Sequence, residues 1–268
     1  GGRLADWKTD GQQYGAEVDY SDNNVFLPYA GALYDFNDAI TSYLSYTEIF
    51  KPQSELDRNG NQLDPIIGKS YELGVKMGFF ANALDTNITL FRIEQDNLAQ
   101  TDTGFLVPGT IFEASRAAQG TTSEGFELEV VGAITPDWAI SASYTQFKAQ
   151  DADNQDVNTD QPRKMFKLFS TYTLPGAWSD LTVGGGINWE DANYTRAINP
   201  ATGAAEDLEQ DDYSLVNLMA RYDVTQQLSL QLNASNLFDE TYYSQIGFYS
   251  QLAYGMPRNV SAEVRYQF

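Results

Sequence analysis

The residues from Val260 to Phe268 alternate without a break. Val260, Ala262, Val264, Tyr266 and Phe268 are apolar or aromatic, and Ser261, Glu263, Arg265 and Gln267 between them are polar or charged. A period of two puts these sets on opposite faces of an extended strand, one greasy and one wet. The pattern recurs up the chain. Tyr71, Leu73, Val75, Met77 and Phe79 alternate with Glu72, Gly74, Lys76 and Gly78, and Leu228, Leu230, Leu232 and Ala234 alternate with Ser229, Gln231, Asn233 and Ser235. Such strands must hide one face, either against a second sheet or in lipid.

The connections decide between those two. Compact turns stand at Asn37-Asp38, Ala81-Asn82, Thr135-Pro136-Asp137, Pro175-Gly176 and Gln226-Gln227. Between them lie longer polar stretches at 51–65, 97–116, 150–161, 194–212 and 240–254, so short and long connections alternate. A sandwich with Greek-key crossings does not usually do this. An up-and-down barrel in a membrane does, with turns at one surface and loops at the other. Strands of about ten residues suit a tilted bilayer crossing. The expected fold is an all-β, antiparallel, up-and-down transmembrane β-barrel. Tyr266 and Phe268, aromatics at the end of the final strand, are expected to sit in the interfacial belt and to act as the outer-membrane assembly signal. The stretch 9–24, rich in Asp, Gly and Gln, reads as a loop before a first full strand at 29–36. The strand at 86–95 leaves its faces open, because Ile88 and Leu90 compete with Phe91 and Ile93.

Charge and composition narrow the function. Sixteen Lys plus Arg against 37 Asp plus Glu give a net charge of −21, which argues against nucleic acid as a partner. Aromatic content of 13% argues against disorder. There is no cysteine and no histidine. A disulfide framework, a thiolate metal site and a Ser-His hydrolase are therefore excluded, and no cofactor and no enzymatic activity are expected. Residues 1–9 lack a charged region followed by an apolar core, so no signal peptide is read there. About eleven full strands, with a partial one at the start, are counted by the alternation template. Single-chain bacterial barrels have even strand numbers. The expectation is therefore the carboxyl-terminal part of a larger barrel; the alternative is a small porin-like barrel for passive diffusion.

Several segments carry a more specific resemblance. Tyr46-Thr47-Glu48-Ile49-Phe50-Lys51-Pro52-Gln53, Gly68-Lys69-Ser70-Tyr71-Glu72-Leu73-Gly74-Val75-Lys76 and Ser123-Glu124-Gly125-Phe126-Glu127-Leu128-Glu129 resemble segments of TonB-dependent siderophore receptors. So do Asn236-Leu237-Phe238-Asp239-Glu240-Thr241-Tyr242-Tyr243 and Tyr254-Gly255-Met256-Pro257-Arg258-Asn259, and all five stand in the family's order. The resemblance implies a barrel of about 22 strands, of which this chain is about half, and a plug domain that has no counterpart here. It implies uptake of a ferric siderophore of the ferrichrome, coprogen or pyoverdine kind at the bacterial outer membrane. TonB would act through the missing plug, and lipid and lipopolysaccharide would surround the barrel.

The candidate ligand residues are the aromatics of the last long connection, Tyr242, Tyr243, Phe248, Tyr249 and Tyr254, together with Arg196 and Arg116 in other connections. Aromatics there could cover or stack on a chelate, and arginine could pair with its negative charge. The competing roles are an interfacial girdle and solvated loop charges. Asp151, Asp153, Asp156 and Asp160 have the look of a calcium loop, but Gln155 and Asp156 break the ligand pattern and no closing Glu follows, so a solvated acidic loop is the better reading. Gly184, Gly185 and Gly186 fit a close-packed strand. Lys76, Glu127, Glu129, Glu263 and Arg265 are expected to face a polar interior.

Overall fold

The computed structural model describes residues 1–268 except Tyr14, Gly15, Gln119, Pro200, Tyr249 and Ser250, and except the side chains of residues 12–19 and 247–251. Its strands are β1 (Gly2–Gln13), β2 (Ala16–Asn37), β3 (Ile40–Lys51), β4 (Ile66–Phe79), β5 (Leu84–Asp96), β6 (Leu98–Leu106), β7 (Glu113–Ala118), β8 (Thr121–Thr135) and β9 (Trp138–Gln150). They continue as β10 (Lys164–Thr173), β11 (Leu181–Glu190), β12 (Asn193–Ile198), β13 (Ala205–Gln210), β14 (Tyr213–Asp223), β15 (Leu228–Ser235), β16 (Tyr243–Phe248), β17 (Gln251–Tyr254) and β18 (Asn259–Tyr266). One sheet of 12 strands runs β1-β2-β3-β4-β5-β8-β9-β10-β11-β14-β15-β18, with every neighbour antiparallel. Among the described residues β1 pairs only with β2 and β18 only with β15, so the sheet is open.

Pairing carries the outer face across the sheet in rows. Ser42, Val75, Ile88, Leu128, Tyr144, Phe166 and Trp189 form one row, and Ile40, Met77, Thr86, Val130, Ala142, Leu168, Ile187 and Val216 form the next. Among the described residues no large side chain is fully buried, and Leu73, Leu232, Val260 and Val264 are 52–69% exposed. In water such a surface would drive association. In lipid it is the face that meets the solvent. The register also resolves β5. Ile88 and Leu90 pair with Val75 and Leu73 on the outer face, so Phe91 and Ile93 point inward.

The inner face carries the opposite set. Glu72, Lys76, Asn87, Glu129, Ser143, Lys167 and Asn188 line it in register. Gly186 belongs here too. A methyl group added to it would press on the Phe169 ring and on the Leu168 carbonyl, so a close approach of two strands requires glycine. The short turns all close at one end. Asn37 Oδ1 accepts the Ala39 N–H at 2.9 Å, and Thr225 Oγ1 accepts the Leu228 N–H at 3.0 Å. The β4–β5 turn runs through positive φ at Phe80, Ala81 and Asn82, the left-handed conformation that a tight hairpin demands.

The other end departs from the sequence reading in two ways. Residues 9–13 and 16–24 are strand and not loop. β1 pairs with the first part of β2, from Gly2 opposite Pro28 to Gln13 opposite Ala16, whereas β3 pairs with β2 only from Tyr29 onward. β1 is thus the edge strand of the sheet, and beyond the last β2–β3 pair, Tyr29 with Thr47, it and β2 continue as a two-stranded hairpin. The long connections at 97–116, 194–212 and 240–254 also hold structure, as the two-stranded hairpins β6–β7, β12–β13 and β16–β17.

Candidate functional site

A large cavity, about 860 Å³, opens at the end that carries these hairpins. Trp7, Thr9 and Gly11 come from alternate positions of β1, and Tyr20 faces Thr9 across the hairpin. Lys51 and Ile66 come from the paired ends of β3 and β4, Gln53 from the connection after β3, and Leu98 and Ala99 from β6. Two aromatic rings, the Lys51 ammonium, the Asp10 and Glu55 carboxylates and a few apolar side chains converge on one space. That composition suits an amphipathic ligand with a flat ring system that carries charge of both signs. None of these residues was picked out from the sequence as a ligand contact.

The connection after β3 is ordered by its own side chains. Asp57 accepts the backbone N–H groups of Asn59 and Asn61, each at 2.8 Å. The Asn61 N–H, together with its neighbours, holds this carboxyl below the usual carboxylate range. Gln53, 7% exposed, donates its side-chain amide to the Asn97 carbonyl at 2.7 Å and to the Asp64 carbonyl.

A second cavity, about 550 Å³, lies lower on the inner wall between Tyr43, Glu72, Phe91, Ile93, Glu127, Phe147 and Met165. The Tyr43 hydroxyl lies 2.7 Å from Thr89 Oγ1, and Lys76 Nζ stands over the Tyr43 ring at 5.3 Å from its centroid. The inner wall is thus polar with an apolar patch, and Lys76, Glu127 and Glu129 face it as expected.

The residues picked out from the sequence fall elsewhere. Tyr242 stacks on Tyr213, with centroids 4.5 Å apart, and the Tyr213 hydroxyl donates to Glu190 Oε2 at 2.9 Å. A side chain at Gly255 would collide with the Tyr242 ring. Tyr242 is therefore a brace at the root of the β16–β17 hairpin. Tyr243 and Tyr254 pair at 4.9 Å across that hairpin, and Tyr254 is 69% exposed. Tyr243 also lines a small polar cavity of about 180 Å³ with Asp160, Glu190, Asn193 and Tyr213, which shares no lining residue with the large one. Tyr249 lies outside the described residues, as does the Phe248 side chain. Arg196 pairs with Asp207 across β12–β13 at 3.4 Å while its side chain stays 74% exposed, and Arg116 lies exposed on β7. Asp151 accepts the N–H groups of Asp153 and Gln155, so it shapes its own acidic loop. Tyr266 and Phe268 meet edge to face at 5.1 Å on the outer surface.

The Tyr243–Tyr254 pair gives a measurable signature. The hydrogen bond to Tyr254 raises the Tyr243 hydroxyl above its ordinary value, with the neighbouring hydroxyl's charge and partial burial adding to it. The folded chain then keeps a proton that the unfolded chain loses near pH 10, so the stabilisation is complete below that pH and fades as pH rises above it. In an absorbance titration of phenolate, Tyr254→Phe should shift one late-ionising tyrosine to lower pH. An unchanged titration would mean that the bond does not form.

The family model described as "TonB dependent receptor-like, beta-barrel" matches residues 1–237. The ferric-pyoverdine BN7/BN8 receptor of Pseudomonas putida is 41% identical over 278 residues, covering all of this chain and 32% of the relative. The ferripyoverdine receptor of Pseudomonas aeruginosa is 36% identical, covering all of this chain and 33% of the relative. The crystal structure of that receptor bound to ferripyoverdine superposes with a TM-score of 0.89 at 35% identity, over all of this chain and 36% of that one. The alcaligin receptor FauA of Bordetella pertussis reaches a TM-score of 0.70 at 46% identity, over 88% of this chain and 39% of that one. The chain spans about a third of the length of the curated relatives it matches. With its lipid-facing rows, its alternating turns and hairpins and the family match over most of its length, the chain belongs to the TonB-dependent receptors of the outer membrane, as a portion of their β-barrel.

Proposed function

We propose that this chain is the carboxyl-terminal part of the barrel of a TonB-dependent ferric-siderophore receptor, and that it supplies part of the outer binding surface for a pyoverdine-class chelate. The observation that carries the reading is the large cavity with Trp7, Tyr20 and Lys51 on its walls, at the hairpin-bearing end of the sheet. Pyoverdine receptors among the relatives support the ligand class. A plug domain outside this chain would complete the lumen and couple it to TonB.

Lipopolysaccharide is the proposed neighbour on the outer face. Just above the apolar rows, Arg92 pairs with Glu94 at 2.9 Å and with Glu124 at 3.3 Å, and Lys148 pairs with Glu124 at 2.7 Å. Charges at that level suit a headgroup layer and not an acyl one.

The test is iron uptake by cells that depend on a full-length receptor containing this sequence. Radiolabelled iron is supplied as ferric pyoverdine, ferrichrome or coprogen, in strains with and without TonB. TonB-dependent uptake of ferric pyoverdine alone is the expected result. TonB-independent leakage of unrelated small solutes would favour a passive pore and overturn the proposal.

A further inference from the structure

The connection after β3 and the β6–β7 hairpin meet at two fasteners. At the root, Gln53 spans from its own connection to the Asn97 carbonyl, and Asn97 Nδ2 donates back to the Pro65 carbonyl at 3.0 Å. Farther out, Arg58 grips Asp102 on β6 with a two-pronged bond, Nε to Oδ2 at 2.7 Å and Nη2 to Oδ1 at 2.8 Å. Asp102 is only 7% exposed. The Arg58 guanidinium also lies 3.5 Å from the centre of the Phe105 ring, so it is held from the side and from below. Between the fasteners the Ser115 N–H of β7 donates to the Leu56 carbonyl at 2.8 Å.

This arrangement has a physical consequence. A paired guanidinium and carboxylate hold a fixed geometry, and a buried carboxylate without its partner is costly. The hairpin and the connection therefore move together or not at all while the fork is intact. Gln53, Ser54 and Glu55 on one, and Leu98 and Ala99 on the other, make one wall of the large cavity. Arg58 and Asp102 do not line it.

We propose that the 52–65 connection and the β6–β7 hairpin form a single flap, and that the Arg58–Asp102 fork positions the cavity wall and so sets how tightly ligand is held without touching it. This inference rests on the cavity being the siderophore site. A wall fixed in advance spares the ordering cost that ligand binding would otherwise meet, and its loss acts mainly on dissociation.

The experiment uses the full-length receptor in outer membranes, with ferric pyoverdine as the probe. Arg58→Glu and Asp102→Arg should each weaken binding about tenfold, chiefly through faster release, and the two together should recover affinity to within about threefold. Asp102→Asn keeps the shape, removes the charge, and should weaken binding in the same direction. A spin label on Ile111→Cys at the hairpin tip, 87% exposed in a chain with no cysteine of its own, reads the flap directly. The label should become mobile in each single variant and be restrained again in the double one. Unchanged label mobility in the single variants overturns the fork as a fastener. A freed label with unchanged affinity overturns its positioning role. If the unaltered receptor ignores ferric pyoverdine, the siderophore reading fails; the flap then stands or falls on the label.

Discussion

An arginine at position 142 should cost the barrel roughly 2–4 kcal/mol of stability in lipid, whereas the same change one residue on, at Ser143, should cost less than about 0.5 kcal/mol. The two neighbours face opposite solvents. Ala142 lies on the outer surface between Val130 of β8 and Leu168 of β10, with Thr86 and Ile187 beyond them in the same row. It sits midway along β9 between Trp138 and Gln146, so a guanidinium there has no short route to either headgroup layer. Ser143 lies on the inner wall between Glu129 and Lys167, where water and a carboxylate are at hand. Urea unfolding of the receptor in lipid vesicles, followed by tryptophan fluorescence, measures both. Equal losses at the two positions would mean that the apolar rows do not meet lipid, and with them the membrane reading would fail.

That contrast is also the reason so much of the fold was legible. Wherever lipid touches one face and water the other, the chain must alternate, and Tyr71 to Phe79 and Val260 to Phe268 do so without exception. The far part of the β1–β2 hairpin escaped the same rule, and no third strand pairs with it there. Lys8, Thr9, Asp10 and Gly11 carry no alternation, and a run of Asp, Gly and Gln resembles a loop. β5 was ambiguous for a different reason. Phe91 and Ile93 belong to an apolar patch on an otherwise polar inner wall, and only the pairing of Leu90 with Leu73 separates the two faces. The candidate site suffered most. Tyr242 and Tyr243 stood out as aromatics in a long connection, yet one is stacked on Tyr213 and the other packs against Tyr254. Spacing along the chain does not reveal that a strand 33 residues away supplies Gln210, whose side-chain oxygen takes the Tyr243 N–H and ties the hairpin down. The Trp7 cavity is assembled from β1, β2, β3, β4 and β6, and no single stretch carries its signature.

Trp7→Ala should raise the dissociation constant for ferric pyoverdine roughly 30-fold, about 2 kcal/mol, whereas Tyr254→Ala should change it less than about threefold. Trp7 is 41% exposed on the wall of the large cavity, with Thr9 and Gly11 on the same side of β1 and Tyr20 across the hairpin. A flat, rigid indole there offers wide contact at little cost in rotamer freedom, which is the usual property of a residue that dominates a binding site. Tyr20→Ala should act in the same direction with a smaller effect, since a phenol covers less area. Lys51→Met should slow association at low salt and lose that effect at high salt, because its ammonium offsets the repulsion that Asp10 and Glu55 on the same wall exert on an anionic chelate. Tyr254 lies far more open and its ring already leans on Tyr243, so its loss removes little that a ligand in the large cavity would touch. Fluorescence binding titrations on outer-membrane preparations separate these cases, and stopped-flow dissociation adds the rate, where most of the Trp7 effect should appear. The reverse order, with Tyr254→Ala the more damaging change, would move the ligand to the β16–β17 hairpin and leave the large cavity without a role in capture.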